Sequence, residues 1–281
     1  MEGKQIGFLH PGQMGVSLAA TARNTGHEAY WVSKSRSGET RCRAEEHGLI
    51  ELPGIAQLCE RCSLIVSVCP PHAAAEVAEQ VAALRFDGIY ADVNAISPQR
   101  VERIGQAITA SGAQFVDGGI IGGPAWKANT TWLYLSGPAA ARVAECFAAG
   151  PLATEVIGDE TGKASALKMC YAANTKGTTA LLCAIVAAAE SMGVREDLER
   201  QWSRGGSDFA KRTASRIRRV TAKAWRFSGE MDEIASTLEA VGLPGGFHLA
   251  AADIYRRISR FKGAADLPAV EEVIRELLDR G

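Results

Sequence analysis

An excess of charge is missing from this 281-residue chain: 31 lysines and arginines stand against 32 aspartates and glutamates, for a net charge of −1. A dedicated nucleic-acid binder is thereby excluded, because affinity for a phosphate backbone rests on surplus cations. Long apolar runs are missing too. The longest uncharged stretch in the helix-forming middle, Gly177 to Ala189, is 13 residues, against the ~20 that a membrane span needs. Met1-Glu2-Gly3-Lys4 leads into Ile6–Leu9 and then at once Pro11 and Gly12, which is too short for a signal-peptide apolar region. The seven cysteines are an odd number with no secretory signal, so reduced thiols and a cytoplasmic location are expected instead of a disulfide framework. Cys59-Glu60-Arg61-Cys62 has metal or redox spacing, but no second such pair accompanies it, and no metal is expected. No fixed-period repeat is visible. What remains, at 47% hydrophobic and 22% charged residues, is the composition of an enzyme-sized globular protein, not of a disordered or collagenous chain.

Short apolar runs alternate with segments of helical period through the first half. Gln5–Leu9, Glu28–Ser33, Leu64–Cys69, Ile89–Asp92, Gln114–Val116, Thr131–Leu135 and Thr154–Ile157 read as strands. Gln13–Thr25, a stretch before Leu64, Ala73–Leu84, Pro98–Ser111 and Ala139–Ala149 read as helices. Such alternation predicts a mostly parallel, doubly wound sheet covered on both faces, hence an α/β fold. From Lys163 the pattern changes. Lys163–Met192 has no proline, is rich in alanine and leucine, and ends at Gly193, predicting one helix of ~45 Å. Its middle, Thr178–Ala189, is apolar on nearly every face, so burial between domains or subunits is expected. Asp197–Trp202, Asp208–Arg226, Met231–Val241, Phe247–Phe261 and Pro268–Arg280 all read helical. Two domains follow, an α/β domain over 1–162 and an all-helical domain over 163–281.

The turn after the first strand is His10-Pro11-Gly12-Gln13-Met14-Gly15. Two glycines and a proline also suit a plain structural turn, but strand before and helix after favour a Rossmann-type dinucleotide turn, in which backbone amides and the positive helix end hold a pyrophosphate. Gly12 and Gly15 fit the second and third glycines of that pattern; His10 takes the place of the first. The second strand ends Val32-Ser33-Lys34-Ser35-Arg36. An acidic residue there would accept bonds from a ribose 2′-hydroxyl, whereas these cations and hydroxyls suit a 2′-phosphate, so NADP is favoured over NAD. A solvated basic loop is the alternative.

Four segments, in order, resemble the β-hydroxyacid dehydrogenase superfamily, which includes 3-hydroxyisobutyrate and 6-phosphogluconate dehydrogenases, and within it a less characterised branch with a distinct C-terminal helical domain. They are Ile6 to Gly15, Asp92-Val93-Asn94-Ala95-Ile96-Ser97-Pro98, Phe115 to Gly123, and Gly162-Lys163-Ala164-Ser165-Ala166-Leu167-Lys168. The resemblance implies a Rossmann-type domain followed by a helical one, hydride transfer between a nicotinamide and a small hydroxyacid-type substrate lying between the domains, and a homodimer. It implies that His10, Pro11, Gly12, Gln13, Met14, Gly15, Ser33, Lys34, Ser35, Cys69, Pro70 and Asn94 bind cofactor, with Asn94 near the nicotinamide. Gly118, Gly119, Ile121, Gly122 and Gly123 are expected in a substrate-binding loop, with glycines leaving backbone amides open to a ligand. Lys168 is implied as the general acid/base, a role open to a lysine on a largely apolar helix whose desolvation favours the neutral amine.

Some positions depart from that pattern. Tyr171 and Ala172 replace paired asparagines; the tyrosine, one turn beyond Lys168, is expected to orient or polarise the substrate oxygen. Ile121 replaces a carboxylate-binding serine, and no second lysine occurs in Gly229–Ile234. His248, opening a helix after Pro244-Gly245-Gly246, is read as a substrate contact or as a capping residue. The cations Lys211, Arg212, Arg216, Arg218, Arg219, Lys223 and Arg226 form either a solvated face or an anion clamp. Imine reduction and a cofactor-binding regulator without turnover stay open beside the alcohol dehydrogenase reading.

Overall fold

The computed structural model describes residues 3–279. It divides into two compact units, residues 1–169 and 170–281, so the division falls after Met169, inside the helix at whose start the sequence placed the domain boundary.

The first unit is built on one eight-stranded sheet. Its strands are β1 Gln5–Phe8, β2 Glu28–Val32, β3 Ile50–Leu52, β4 Leu64–Ser67, β5 Ile89–Asp92, β6 Gln114–Gly122, β7 Thr131–Ser136 and β8 Ala153–Val156, in the order β3-β2-β1-β4-β5-β6-β7-β8. The first six pair in parallel, β6 with β7 antiparallel, and β7 with β8 parallel. The helices are α1 Gln13–Asn24, α2 Gly38–Glu46, α3 Ile55–Arg61, α4 Ala74–Ala83, α5 Pro98–Ala110, α6 Ala140–Glu145 and the first turns of α7, Lys163–Ala172. Successive strand residues point to opposite faces, and they feed two separate cores. Ile6, Phe8, Trp31, Leu64 and Val66 enter one; Leu9, Tyr30, Val32, Ile65 and Tyr90 enter the other. That double burial is why these strands read as continuous apolar runs. The chain reverses the direction of strand addition between β1 and β4, and the turns following those strands lie at that switch point.

Two stretches differ from the sequence reading. The segment before β4 holds α2, β3 and α3, with the three-residue strand β3 too short and too polar to stand out. β6 does not stop at Val116 but runs on to Gly122. Its end pairs with no parallel neighbour: Asp117 lies opposite Asp92, the last residue of β5, and 118–122 pair only with β7. The glycines expected in a loop are therefore strand residues, apart from Gly123.

The second unit is helical: α8 Thr178–Ser191, α9 Arg195–Trp202, α10 Phe209–Val220, α11 Ala224–Ala240, α12 Gly246–Arg257 and α13 Val270–Leu278. Helix α8 packs against α10, α12 and α13. The predicted uniform helix Lys163–Met192 is instead interrupted by a π turn at Ala173–Gly177. Side chains from two other helices take up carbonyls there: Arg216 Nη2 donates to Thr175 O at 2.5 Å and Tyr255 Oη to Lys176 O at 2.7 Å, which lets the local ladder depart from the α pattern. The break expected near Gly229 is also absent. Helix α11 runs through that glycine, held by Glu230 paired with Lys176 and by Phe227 edge-on to Tyr255; the interruption lies instead at Thr221–Lys223. No helix among the described residues is long and apolar enough to cross a membrane.

Candidate functional site

The turn between β1 and α1 is tight, with Gly12 N–H donating to His10 O at 2.9 Å. Its two glycines serve different ends. A Cβ on Gly15 would overlap the His10 carbonyl oxygen, so this glycine is required by the fold itself. A Cβ on Gly12 would meet nothing within 4 Å. Gly12 precedes α1 without any side-chain cap, so no capping side chain engages the first amides of the helix, as an anion-binding helix start requires. Pro11 is buried, while Gln13 is exposed. Ser17, one turn into α1, accepts the Ala125 amide at 2.9 Å and donates to Met14 O at 2.8 Å, tying the chain after Gly123 to this helix.

At the end of β2, Ser33 is buried and Lys34 and Ser35 are exposed. Arg36 is half-buried, and its charge acts on both His10 and Cys69. Burial lowers the pKa of His10 to about 4, with the Arg36 charge adding to the effect, so the imidazole is neutral. Burial also lowers the Arg36 guanidinium below its ordinary value. Arg36 Nε and His10 Nδ1 are both buried without a hydrogen-bond partner among the described residues. Unpartnered nitrogens of this kind, at the ends of β1 and β2, could hold a polar, anionic group. The sequence offered Arg36 only as one cation of a loop.

The ends of β4 and β5 form a buried polar knot. Asn94 Oδ1 accepts the Cys69 amide at 2.5 Å, and Asn94 Nδ2 donates to Ser67 Oγ at 3.1 Å. Asn94, expected beside the nicotinamide, thus uses both ends of its amide to brace the loop after β4. Burial pushes the Cys69 thiol up to about 12, and Pro70 is exposed beside it. Asp92 is fully enclosed; burial is the main cause that raises its carboxyl to about 7, and it accepts the Asn94 amide at 3.0 Å. The Cys59 and Cys62 thiols are likewise raised by burial, to about 11 and about 12, which leaves them protonated and unreactive near neutrality.

Lys168 reaches β6. Its Nζ donates to Ile120 O at 2.5 Å, on the overhang beyond β5 and at the carboxyl edge of the parallel strands. The glycine-rich strand is shaped by packing more than by ligand access. Gly118 leaves room for Val93, and a Cβ on Gly119 would stand 2.6 Å from Ala164 O and 3.0 Å from Lys168 Cβ. Gly122 has φ of 126°, a left-handed conformation that disfavours side chains. Only Gly123 of this group has open space where its Cβ would be, so it alone fits the expectation of an unobstructed amide. Ile121 is buried.

Three expectations fall in the second unit. Tyr171 is 47% exposed. His248 is buried and rests against the π turn, its Nε2 3.0 Å from the Cβ position of Gly177, and burial lowers its pKa; it makes no cap bond at the start of α12. Of the cationic run, Arg216 donates to Thr175 and Thr179, Arg218 to the carbonyls of Leu267 and Pro268, and Arg212 pairs with Asp208. These three side chains are engaged within the unit.

The family described as the NAD binding domain of 6-phosphogluconate dehydrogenase matches residues 5–150, more than half of the chain. The chain belongs to that family. Its NAD(P)-binding domain and helical C-terminal region are those of a 3-hydroxyisobutyrate dehydrogenase-like oxidoreductase fold. A domain of unknown function (DUF1932) matches residues 189–258 of the chain. An uncharacterised 28.5 kDa protein of Methanothermus fervidus is 29% identical over 196 residues, 69% of this chain and 74% of that protein. Mitochondrial 3-hydroxyisobutyrate dehydrogenase of Drosophila melanogaster is 23% identical over 201 residues, 70% of this chain and 60% of that enzyme. Among solved structures, the conserved protein MTH1747, described as similar to 3-hydroxyacid dehydrogenases, is 29% identical with a TM-score of 0.67, covering 93% of this chain and all of that one. A reductive aminase of Aspergillus terreus, solved with NADPH and ethyl levulinate, shares the fold at 17% identity and a TM-score of 0.56, covering 97% of this chain and 99% of that one.

Proposed function

We propose that the protein is a dehydrogenase that uses NADP and interconverts a small hydroxyacid-type alcohol and its carbonyl, with Lys168 handling the proton. The observation that carries this reading is the Lys168 Nζ held at the Ile120 carbonyl, on the same sheet edge as the open glycine turn. Gly12 and the first amides of α1 would hold the pyrophosphate, and Arg36 and Lys34, with no carboxylate at the end of β2, would face the 2′-phosphate. The orphaned nitrogens of His10 and Arg36 fit that assignment, and the NADPH in the reductive aminase complex is in keeping with it. When bound, the nicotinamide supplies the hydride chemistry. Lys168 takes the hydroxyl proton as the alcohol is oxidised and returns it when the carbonyl is reduced. Tyr171 is the second candidate for polarising the substrate oxygen. A homodimer is part of the reading, because the second unit leaves Leu181, Met192 and Val194 exposed.

Fluorescence titration tests the cofactor assignment. Arg36→Ala is expected to weaken NADPH binding about tenfold and NADH binding less than threefold; equal weakening of both would remove the 2′-phosphate assignment. Lys168→Ala should lower kcat by roughly 10²–10⁴-fold on whichever alcohol, hydroxyacid or imine a screen turns up. Imine reduction is the second reading. Turnover of imines alone, indifferent to Lys168→Ala, would favour it, and cofactor binding with no turnover on any substrate would point to a regulator.

A further inference from the structure

β6 grips α7 at three successive points. At Asp117 the carboxylate collects the start of the helix: Oδ2 accepts the amides of Gly162 at 3.0 Å and Ser165 at 2.9 Å, and Oδ1 accepts Ser165 Oγ at 2.6 Å. Ser136 Oγ, on β7, donates to the same Oδ2 at 3.2 Å and accepts the Ala164 amide at 3.1 Å. Two residues along the strand, Gly119 lets the helix lie directly against it. One residue further, Ile120 O receives the lysine head. The anionic cap therefore comes from the strand that also receives the lysine, instead of from the residues just before the helix.

This arrangement fixes register. Sliding α7 by one residue would shift it about 1.5 Å along its axis and turn Lys168 by about 100°, and either movement would break the bonds to Oδ1 and Oδ2. Asp117 is buried and burial raises its carboxyl above the ordinary range, while four donors pull in the opposite direction. Its cost of enclosure is offset only while the helix start stays in place.

We propose that Asp117 is a positioning residue for Lys168: through its bonds to Gly162 and Ser165 it sets the register in which the ammonium meets the Ile120 carbonyl. The proposal rests on Lys168 being the proton-handling group of the function proposed above, and its test is chosen to be independent of substrate. The full-length protein is labelled with limiting acetic anhydride, and modification of Lys168 is compared by mass spectrometry with that of Lys163, an exposed lysine at the start of the same helix. In the wild type Lys168 is expected to label about fivefold more slowly than Lys163, and Asp117→Asn should raise the Lys168/Lys163 ratio at least about threefold. Ser165→Ala, which removes one hydroxyl and leaves the amides, should move the ratio in the same direction by a smaller factor. It decides the matter if Asp117→Asn does not fold by circular dichroism. On an established substrate, Asp117→Asn should also lower kcat about tenfold with KM within about threefold. A folded Asp117→Asn or Ser165→Ala protein with the wild-type labelling ratio overturns the positioning role. If Lys168→Ala leaves turnover intact, the assignment of the lysine itself fails, and that result is distinct from the labelling outcome.

Discussion

Asp92, buried, and His10, half-buried, are ionisable residues whose shifts pull stability in opposite directions with pH. Asp92 has its carboxyl raised from 3.8 to about 7. The folded state therefore holds a proton that the unfolded chain has released, and stability falls as pH rises from about 4 to about 7. His10 is lowered from 6.5 to about 4, so the unfolded chain binds the extra proton and stability is lost as pH falls from about 6.5 towards 4. The two slopes oppose each other over most of that window. Asp92→Asn should leave the His10 slope alone, so that the melting temperature, followed by circular dichroism, climbs from pH 4 to 6.5 and then levels. A variant that still declines towards pH 7 would show that Asp92 is not the group responsible. Neither group's state was legible in the sequence. Asp92 is enclosed by strands on either side, and the bonds that turn Asn94 inward reach residues 25 and 27 positions away. A motif match places such a residue near a ligand but cannot say which atoms the protein has already engaged. Arg36 was visible only as a positive charge; its approach to His10 and Cys69 depends on the left-handed Ser35, whose φ is 61°, and serine does not advertise that conformation as glycine would.

Elements were most legible where both faces of a strand are buried. Ile89–Asp92 was read to the residue, since a run of three apolar residues closed by Asp92 between helical segments admits few alternatives. β6 was cut short because glycine is poor in strands by propensity, yet here its lack of a side chain is what admits Val93 on one face and α7 on the other. Gly119→Ala is therefore expected to destabilise the fold by about 1–3 kcal/mol in urea titration, as overpacked sites do. Gly123→Ala, with open space around it, should stay within about 0.5 kcal/mol. Equal effects at both positions would contradict the packing account. The π turn and the continuity of α11 through Gly229 were hidden for another reason. Both depend on side chains distant in sequence, Arg216, Tyr255 and Lys176 among them, and a local pattern does not contain those partners.

At the scale of the whole molecule, the order of the four motifs carried the family and the strand–helix alternation carried the sheet, because both survive errors of a few residues at element ends. The proposed homodimer is a matter of surface, and sequence showed only that α8 is rich in apolar residues. Helix α8 buries most of them within its own unit but leaves Leu181 and, just beyond its end, Met192 exposed. Sedimentation equilibrium is expected to return twice the chain mass, with Leu181→Asp shifting the protein towards the monomer. A monomer in the wild type would refute this, leaving the proposed cofactor and lysine roles untouched.

The two glycines of the first turn answer to different judges. Position 15 is closed by the protein's own backbone and position 12 only by whatever approaches from outside. A descendant that had abandoned its coenzyme while still needing to fold would keep the glycine at 15 and let the one at 12 drift. The pair thus separates inheritance of a shape from inheritance of a trade.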